Sequence, residues 1–245
     1  MKHATDMCCF IVHEVIDFYA SCSSPLYVCF TDALNAFDKV NHFHLLDKLL
    51  KRGLPRSIVR ISYVWFKTQT FVVKWLNKIS SPFNVNNGVR QGGILSPYLY
   101  NVFIDDLSTL LVKSHVGCYM NKLFINHLFY ADDSVLIASS PAALQSLINI
   151  CQAYAQNNDI VYNNKKTFCM NFMPKCFKNL RVPTIYLNEN PLKWVTYQKY
   201  LGIYFTNNVS DDRDITRELR ALYARGNTLL RKFGKCSLHV KNQLF

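Results

Sequence analysis

The most constraining stretch of this sequence is LFYADDSVLI, residues 128–137, where two adjacent carboxylates, Asp132 and Asp133, interrupt a run that is otherwise almost wholly apolar. A segment of this composition is normally buried, and an uncompensated buried carboxylate costs roughly tens of kcal/mol by an idealised Born estimate. Packing alone does not account for the pair. Apolar segments flank it on both sides, Leu128 to Ala131 and Val135 to Ala138, so a two-residue turn would lift the carboxylates to the tip of a hairpin. A solvated Asp turn is one reading of that tip. The other is a site that holds cations, and the rest of the chain has to choose between them.

A second carboxylate ends an apolar run at LYVCFTD (26–32), which reads as a buried strand with Leu26, Val28, Phe30 and Asp32 on one face. Phosphoryl transfer to a nucleotide needs little covalent help from a protein. It does need divalent ions that activate the attacking oxygen and neutralise the leaving one, and carboxylates hold such ions. Asp32 with Asp132 and Asp133 has the required form if strand and hairpin are neighbours in one sheet. Other acidic groups act as controls. Asp105 and Asp106 near the end of an amphipathic helix, and Asp211 and Asp212 at the start of another, are explained by solvation and helix-dipole placement. Asp38 is expected to N-cap a helix beginning at Lys39.

The remaining pattern is mixed α/β. Helices are expected at 7–19, 39–51, 56–67 after the breakers Gly53 and Pro55, 97–112 with Ser96 as N-cap and Pro97 in first position, 141–158, and a basic helix at 211–232. Strand-like segments are TFVVKWL and SPFNVNN, then short strands near 167–173, 183–188 and 197–205, with GVRQGG as a loop. No internal repeat, low-complexity tract or linker interrupts this order.

Lys plus Arg outnumber Asp plus Glu by 28 to 16, a net +12, and 14 Tyr, 17 Phe and 3 Trp offer stacking surfaces. A polyanionic partner, nucleic acid, fits that balance. The odd count of nine cysteines, scattered without CxxC spacing or a secretory leader, leads us to expect reduced thiols in an intracellular, non-secreted protein. Cys236 and His239 lack a second ligand pair, so no zinc is assigned. No uncharged apolar run approaches the roughly 18 residues that cross a bilayer, so no membrane partner is expected.

In order along the chain, FTDALNAFDKVNH, NGVRQGGILSPYLYNVFIDDL, FYADD, YNNKKTFCMNF and YLGIYF resemble the successive palm motifs of reverse transcriptases, most closely those of LINE-type non-LTR retrotransposons. The resemblance covers about residues 5–240, and Ala rather than Gly before the Asp pair separates it from viral RNA-dependent RNA polymerases. It implies an α/β (α+β) right-hand polymerase palm, an antiparallel sheet backed by helices, with truncated fingers and a partial thumb. Residues 1–175 would form the palm core with residual fingers elements, and 176–245 the end of the palm, the primer-grip hairpin and the partial thumb.

The activity implied is RNA-directed DNA synthesis by two-metal nucleotidyl transfer. Two Mg2+ ions, with Mn2+ able to substitute, an RNA template, a DNA primer and deoxynucleoside triphosphates are the implied cofactors and partners, in the nucleus and/or cytoplasm. Position by position, Asp32 and Asp132 would coordinate both metals with Asp133 assisting, and Lys166 would lie near the leaving pyrophosphate. Phe37 would be the steric gate against a ribose 2′-OH. Gln91 would help position nucleotide and template, while Gly92 and Gly93 let backbone approach the nucleic acid. Tyr200, Leu201 and Gly202 would grip the primer end. Without the motif, Phe37 reads as an ordinary core aromatic and Lys166 as a solvated turn residue. Only 31 residues precede Asp32, and the family's basic fingers residues are missing, so a retrotransposon-derived fragment that extends primers poorly by itself is expected. Two alternatives are a catalytically inactive nucleic-acid-binding remnant and a metal-dependent nuclease, which would not explain Phe37 or the GVRQGG loop.

Overall fold

The structure is a computed structural model that describes residues 4–174, 181–237, 239, 240 and 242. Its first half runs α1 (Ala4–Ser21), β1 (Leu26–Asp32), α2 (His42–Lys51), α3 (Arg56–Thr68), β2 (Thr70–Phe71), β3 (Lys74–Trp75), β4 (Lys78–Ile79), β5 (Phe83–Asn84) and α4 (Ser96–Lys113). Two hairpins follow, β6 (Cys118–Met120) with β7 (Leu123–Ile125) and β8 (His127–Tyr130) with β9 (Asp133–Ala138). Then come α5 (Pro141–Asn157), β10 (Phe168–Phe172), β11 (Tyr186–Leu187), β12 (Asn190–Pro191) and β13 (Lys193–Trp194). The hairpin of β14 (Tyr197–Tyr200) and β15 (Ile203–Thr206) leads into α6 (Asp212–Phe233).

β1 lies at the centre of a five-stranded sheet of order β13-β10-β1-β9-β8, antiparallel at every pairing except β10 with β13. Six of its seven residues are buried, because both faces of the sheet are covered. Alternation therefore sorts side chains into two cores instead of core and solvent. Leu26, Val28 and Phe30 pack with Val12 and Ile16 of α1; Tyr27 and Cys29 pack on the side of α2, α4 and α5, with Leu45, Leu107 and Leu147. Each fully buried aliphatic contributes about 1.5–3 kcal/mol through removal of apolar area from water. The antiparallel sheet backed by helices is thus present. The carboxy-terminal part is continuous with it, since β13 joins the sheet and Tyr200 and Phe205 enter the α1-side core.

Four local expectations are corrected. The second helix begins at His42, not Lys39, and its N-cap is Asn41, whose side chain accepts from Phe43 N at 3.0 Å and His44 N at 3.2 Å. Asp38 instead sits in a turn where its own N–H and that of Lys39 reach Asn35 O. Ser96 lies inside α4, not before it, and its hydroxyl turns back to donate to Arg90 O, leaving Leu95 at the N-cap without a side-chain bond. Asp105 and Asp106 stand in the middle of α4 and are ion-paired, Asp105 with Arg52, the residue that caps the end of α2, at 2.5 Å and Asp106 with Lys48 of α2 at 2.9 Å. The strand-like TFVVKWL and SPFNVNN become two-residue ribbons with Val72, Val73, Trp75, Leu76 and Ile79 exposed, because no layer covers them.

Lys48 links three helices. Its ammonium, with the side chain 11% exposed, donates to Phe103 O at 2.7 Å and Tyr154 Oη at 2.6 Å while pairing with Asp106. Lys48→Met keeps the apolar stem but removes these charge-assisted bonds, and should cost about 1–3 kcal/mol. A urea midpoint unchanged from the wild type would contradict that. Among the described residues no helix is long and apolar enough to cross a membrane.

Candidate active site

The hairpin register decides where the two aspartates go. Tyr130 pairs with Asp133, so the loop is the dipeptide Ala131–Asp132, and Ala131 takes a φ of 52°, the positive sign that tight two-residue hairpin loops require. Asp132 is consequently exposed at the tip, whereas Asp133 is half-buried as the first residue of β9. Across the sheet Asp133 stands directly opposite Asp32 of β1. Directly opposed residues of an antiparallel pair have Cβ atoms about 4.5–5.5 Å apart, and like charges there repel. The Asp133 carboxyl is accordingly raised above the usual carboxylate range, by burial first and then by Asp132 and Asp32. On the other face of the same strands, the hydroxyls of Thr31 and Ser134 are hydrogen-bonded to each other.

Asp32 is held by a residue that the sequence reading missed. Asn163 Nδ2 donates to Asp32 Oδ2 at 3.2 Å, and Asn163 N donates to Asp32 O at 2.8 Å. The same Asn163 carbonyl accepts from Lys166 N at 3.0 Å and Thr167 N at 2.9 Å, so one asparagine ties the carboxylate strand to the turn that carries Lys166. Its position within YNNKKTF marks a turn, but its partner lies 131 residues away, which spacing does not reveal.

A cavity of about 200 Å3 opens over the carboxylates, lined by Asp32, Asp133, Lys166, Gln198, Lys199 and Tyr200 among others. Lys166 and Tyr200 are therefore gathered with the acidic pair, and Lys199 joins them as a second cation that the motif reading had not singled out. The β14–β15 turn is Leu201–Gly202, with φ of 47° and 96°, the paired positive values of a type I′ loop. Tyr200 is buried against Phe30, ring centroids 5.4 Å apart, and its hydroxyl has no hydrogen-bond partner among the described residues.

Phe37, Gln91 and Gly92 form a neighbouring group. Phe37 is half-buried and stacks on Tyr100, centroids 4.8 Å apart at 26°. The buried Tyr100 hydroxyl is raised by burial and then by the charge of Asp132, which puts this stack within electrostatic reach of the hairpin tip. Gln91 is exposed, its amide donating to Asp38. Gly92 is exposed at φ 77° with open space beside it, whereas a Cβ on Gly93 would come within 2.7 Å of Ser96 Oγ and 3.0 Å of Arg90 O.

The donor set suits a hard divalent cation, being carboxylate oxygen throughout, and a cation would relieve the repulsion that raises Asp133. Among the described residues, however, no group of three or more His, Cys, Asp or Glu is gathered closely enough to hold a metal ion. Asp32 and Asp133 are opposed; Asp132 stands outward on the turn.

Residues 6–205 match a family model described as reverse transcriptase (RNA-dependent DNA polymerase). The chain is 32% identical over 152 residues to the retrovirus-related Pol polyprotein from type-1 retrotransposable element R2 of Nasonia vitripennis, covering 61% of this chain and 14% of that protein. It is 26% identical over 247 residues to the probable RNA-directed DNA polymerase from transposon X-element of Drosophila melanogaster, covering 96% and 26%. The chain thus spans about a quarter or less of the length of these relatives. Among solved structures, apo telomerase from Candida tropicalis, truncated from its C-terminal domain, superposes with a TM-score of 0.57 at 15% identity over 82% of this chain and 39% of that one. That likeness shows the fold, a polymerase palm. With this fold established and the family model spanning residues 6–205, the chain belongs to the reverse transcriptase (RNA-dependent DNA polymerase) family.

Proposed function

We propose that this chain carries the catalytic palm of a retrotransposon-type RNA-directed DNA polymerase, adding deoxynucleotides to a DNA primer on an RNA template. The observation that carries the reading is the juxtaposition of Asp32 and Asp133 on paired central strands, with Asp132 on the adjoining turn and Lys166 and Lys199 on the rim of the same cavity. When bound to these carboxylates, two Mg2+ ions, or Mn2+, would supply charge neutralisation for the attacking and leaving oxygens. Lys166 brings positive charge to the departing pyrophosphate. Phe37 closes the space beside the sugar, Gln91 and the glycines after it meet the nucleotide and template, and the Tyr200–Gly202 turn holds the primer end. In this reading residues 1–175 supply the palm core and residues 176–245 the primer-grip hairpin and part of a thumb, the boundary itself lying outside the described residues, in an intracellular protein.

A second reading, a nucleic-acid-binding remnant without catalysis, is favoured by the lack of a gathered three-ligand set among the described residues. Primer extension on an RNA/DNA primer–template with Mg2+ and with Mn2+ separates the two. Incorporation supports the polymerase; binding that weakens steeply with salt, as expected of a chain at +12, without incorporation under either ion supports the remnant.

Asn163 offers a finer test. Groups that orient a metal-binding residue typically contribute 10–100-fold in metal affinity or activity. Asn163→Ala should therefore lower extension by about tenfold or more and raise the Mg2+ concentration for half-maximal rate. An unchanged Mg2+ dependence would leave Asn163 with only its turn-forming role.

A further inference from the structure

Asp38 has no helix to cap, and the structure gives its carboxylate another partner. The turn after β1 and the loop before α4 are laced together: Val89 N donates to Phe37 O and Gly88 N to Val40 O, both at 2.8 Å, and the His42 ring bonds Gly88 O at 2.7 Å through Nε2. Gly88, at φ 95°, is required for this approach, because a Cβ there would lie 2.7 Å from Asp38 O. The lacing sets the Asp38 carboxylate against the Gln91 side chain, whose Nε2 is 3.2 Å from each carboxylate oxygen.

An ionised carboxylate only accepts hydrogen bonds, so it fixes which end of the amide faces it. The NH2 group faces Asp38, and Oε1 is the polar end of this side chain that the carboxylate does not engage. We infer that Asp38 is a positioning residue, which holds the Gln91 amide with its carbonyl oxygen outward so that the loop meets the nucleic-acid substrate as an acceptor and selects a hydrogen-bond donor on it. This inference rests on the polymerase reading only for its functional consequence; the Asp38–Gln91 clip stands on geometry.

The exchange of the two groups tests it. Gln91→Glu sets two carboxylates face to face, and Asp38→Ala frees the amide to turn; each should raise the KM for deoxynucleoside triphosphate about tenfold, on the scale of one lost charge-assisted hydrogen bond, with kcat less affected. In Asp38→Asn/Gln91→Glu the donor and acceptor are swapped, one oxygen still faces outward, and KM should return to within about threefold of the wild type. Gln91→Glu with Asp211→Asn restores the net charge far from the clip and should not rescue. An exchange no better than Gln91→Glu alone, or rescue by the distant charge change, overturns the inference. A second measurement is independent of activity. The 15N side-chain amide resonances of Gln91, identified by their loss in Gln91→Leu, should move in Asp38→Asn more than those of any other amide side chain, and resonances that stay in place also overturn it. Wild-type protein that neither extends primers nor binds nucleotide defeats the polymerase reading, while the resonances still decide the clip.

Discussion

Replacing Asp133 with asparagine should lower primer extension by at least about 100-fold, the scale of a lost electrostatic contact in a transition state, and yet raise the melting temperature of the metal-free protein. Both effects follow from the same position. Asp133 faces Asp32 across the central strands, and its carboxyl is raised by burial, by Asp132 and by Asp32. A carboxyl whose folded pKa lies above its unfolded value binds more protons in the folded state between those two values. Stability therefore falls as pH rises through that window and is recovered on acidification. At neutral pH the wild-type carboxylate opposes folding, and a neutral amide of the same shape removes the opposition. Asp32→Ala and Asp132→Ala should lose extension comparably, since ligands are lost while the chemistry to be catalysed is unchanged. Added Mg2+ should then raise the melting temperature of the wild type more than that of Asp133→Asn, because only a protein that binds the ion is stabilised by it. Extension at the wild-type rate in Asp133→Asn would sink the assignment. A metal-free melting temperature lowered by the substitution would show instead that the carboxylate is stabilised by partners within the fold.

Phe37→Ala is expected to admit ribonucleotides, raising their incorporation relative to deoxyribonucleotides by at least about tenfold, because discrimination by a clash disappears when the clashing group is removed. The geometry allows a gate and a packing role together. The half-buried ring stacks on Tyr100 at 4.8 Å while its backbone carbonyl anchors Val89 of the neighbouring loop. A fully buried Phe→Ala costs about 3–5 kcal/mol, and the half-burial of Phe37 should bring the loss below that range. The two roles separate in the readouts: competition between ribo- and deoxyribonucleotides measures the gate, and a denaturant melt measures the packing. Loss of stability with an unchanged sugar preference would return Phe37 to the core. Tyr100→Phe is a useful companion, since the hydroxyl it removes is buried without a partner among the described residues and its loss should cost little stability.

Much of the secondary structure was legible because its causes are local. The seven residues of β1 and the start of α5 at Pro141 agree with period and the preference of Pro for the first helical turn. Misreadings occurred where two local solutions competed. Both Asp38 and Asn41 are eligible N-caps, and the choice went to Asn41 because the residues before it are held in a turn laced to Gly88 and Val89. Ser96 likewise had Arg90 O as a competing partner. Asp105 and Asp106 looked merely solvated because the basic residues that pair with them, Lys48 of α2 and Arg52 at its C-cap, lie more than fifty positions away.

By itself the sequence determined that a carboxylate would end one apolar strand and that two more would interrupt a hairpin, because side-chain polarity and period are properties of each segment. It could not determine which of the paired aspartates faces Asp32. Only the tertiary structure decided that, through a two-residue loop at Ala131–Asp132 and the β1–β9 register that sets Asp133 opposite Asp32. Side chains alternate faces with a period of two, so a slip of one residue would move every side chain of the strand to the other face. The buried Val135 and Ile137 on the α1 side and Leu136 on the other oppose such a slip, and the position of the carboxylates follows from the packing of the strand that carries them.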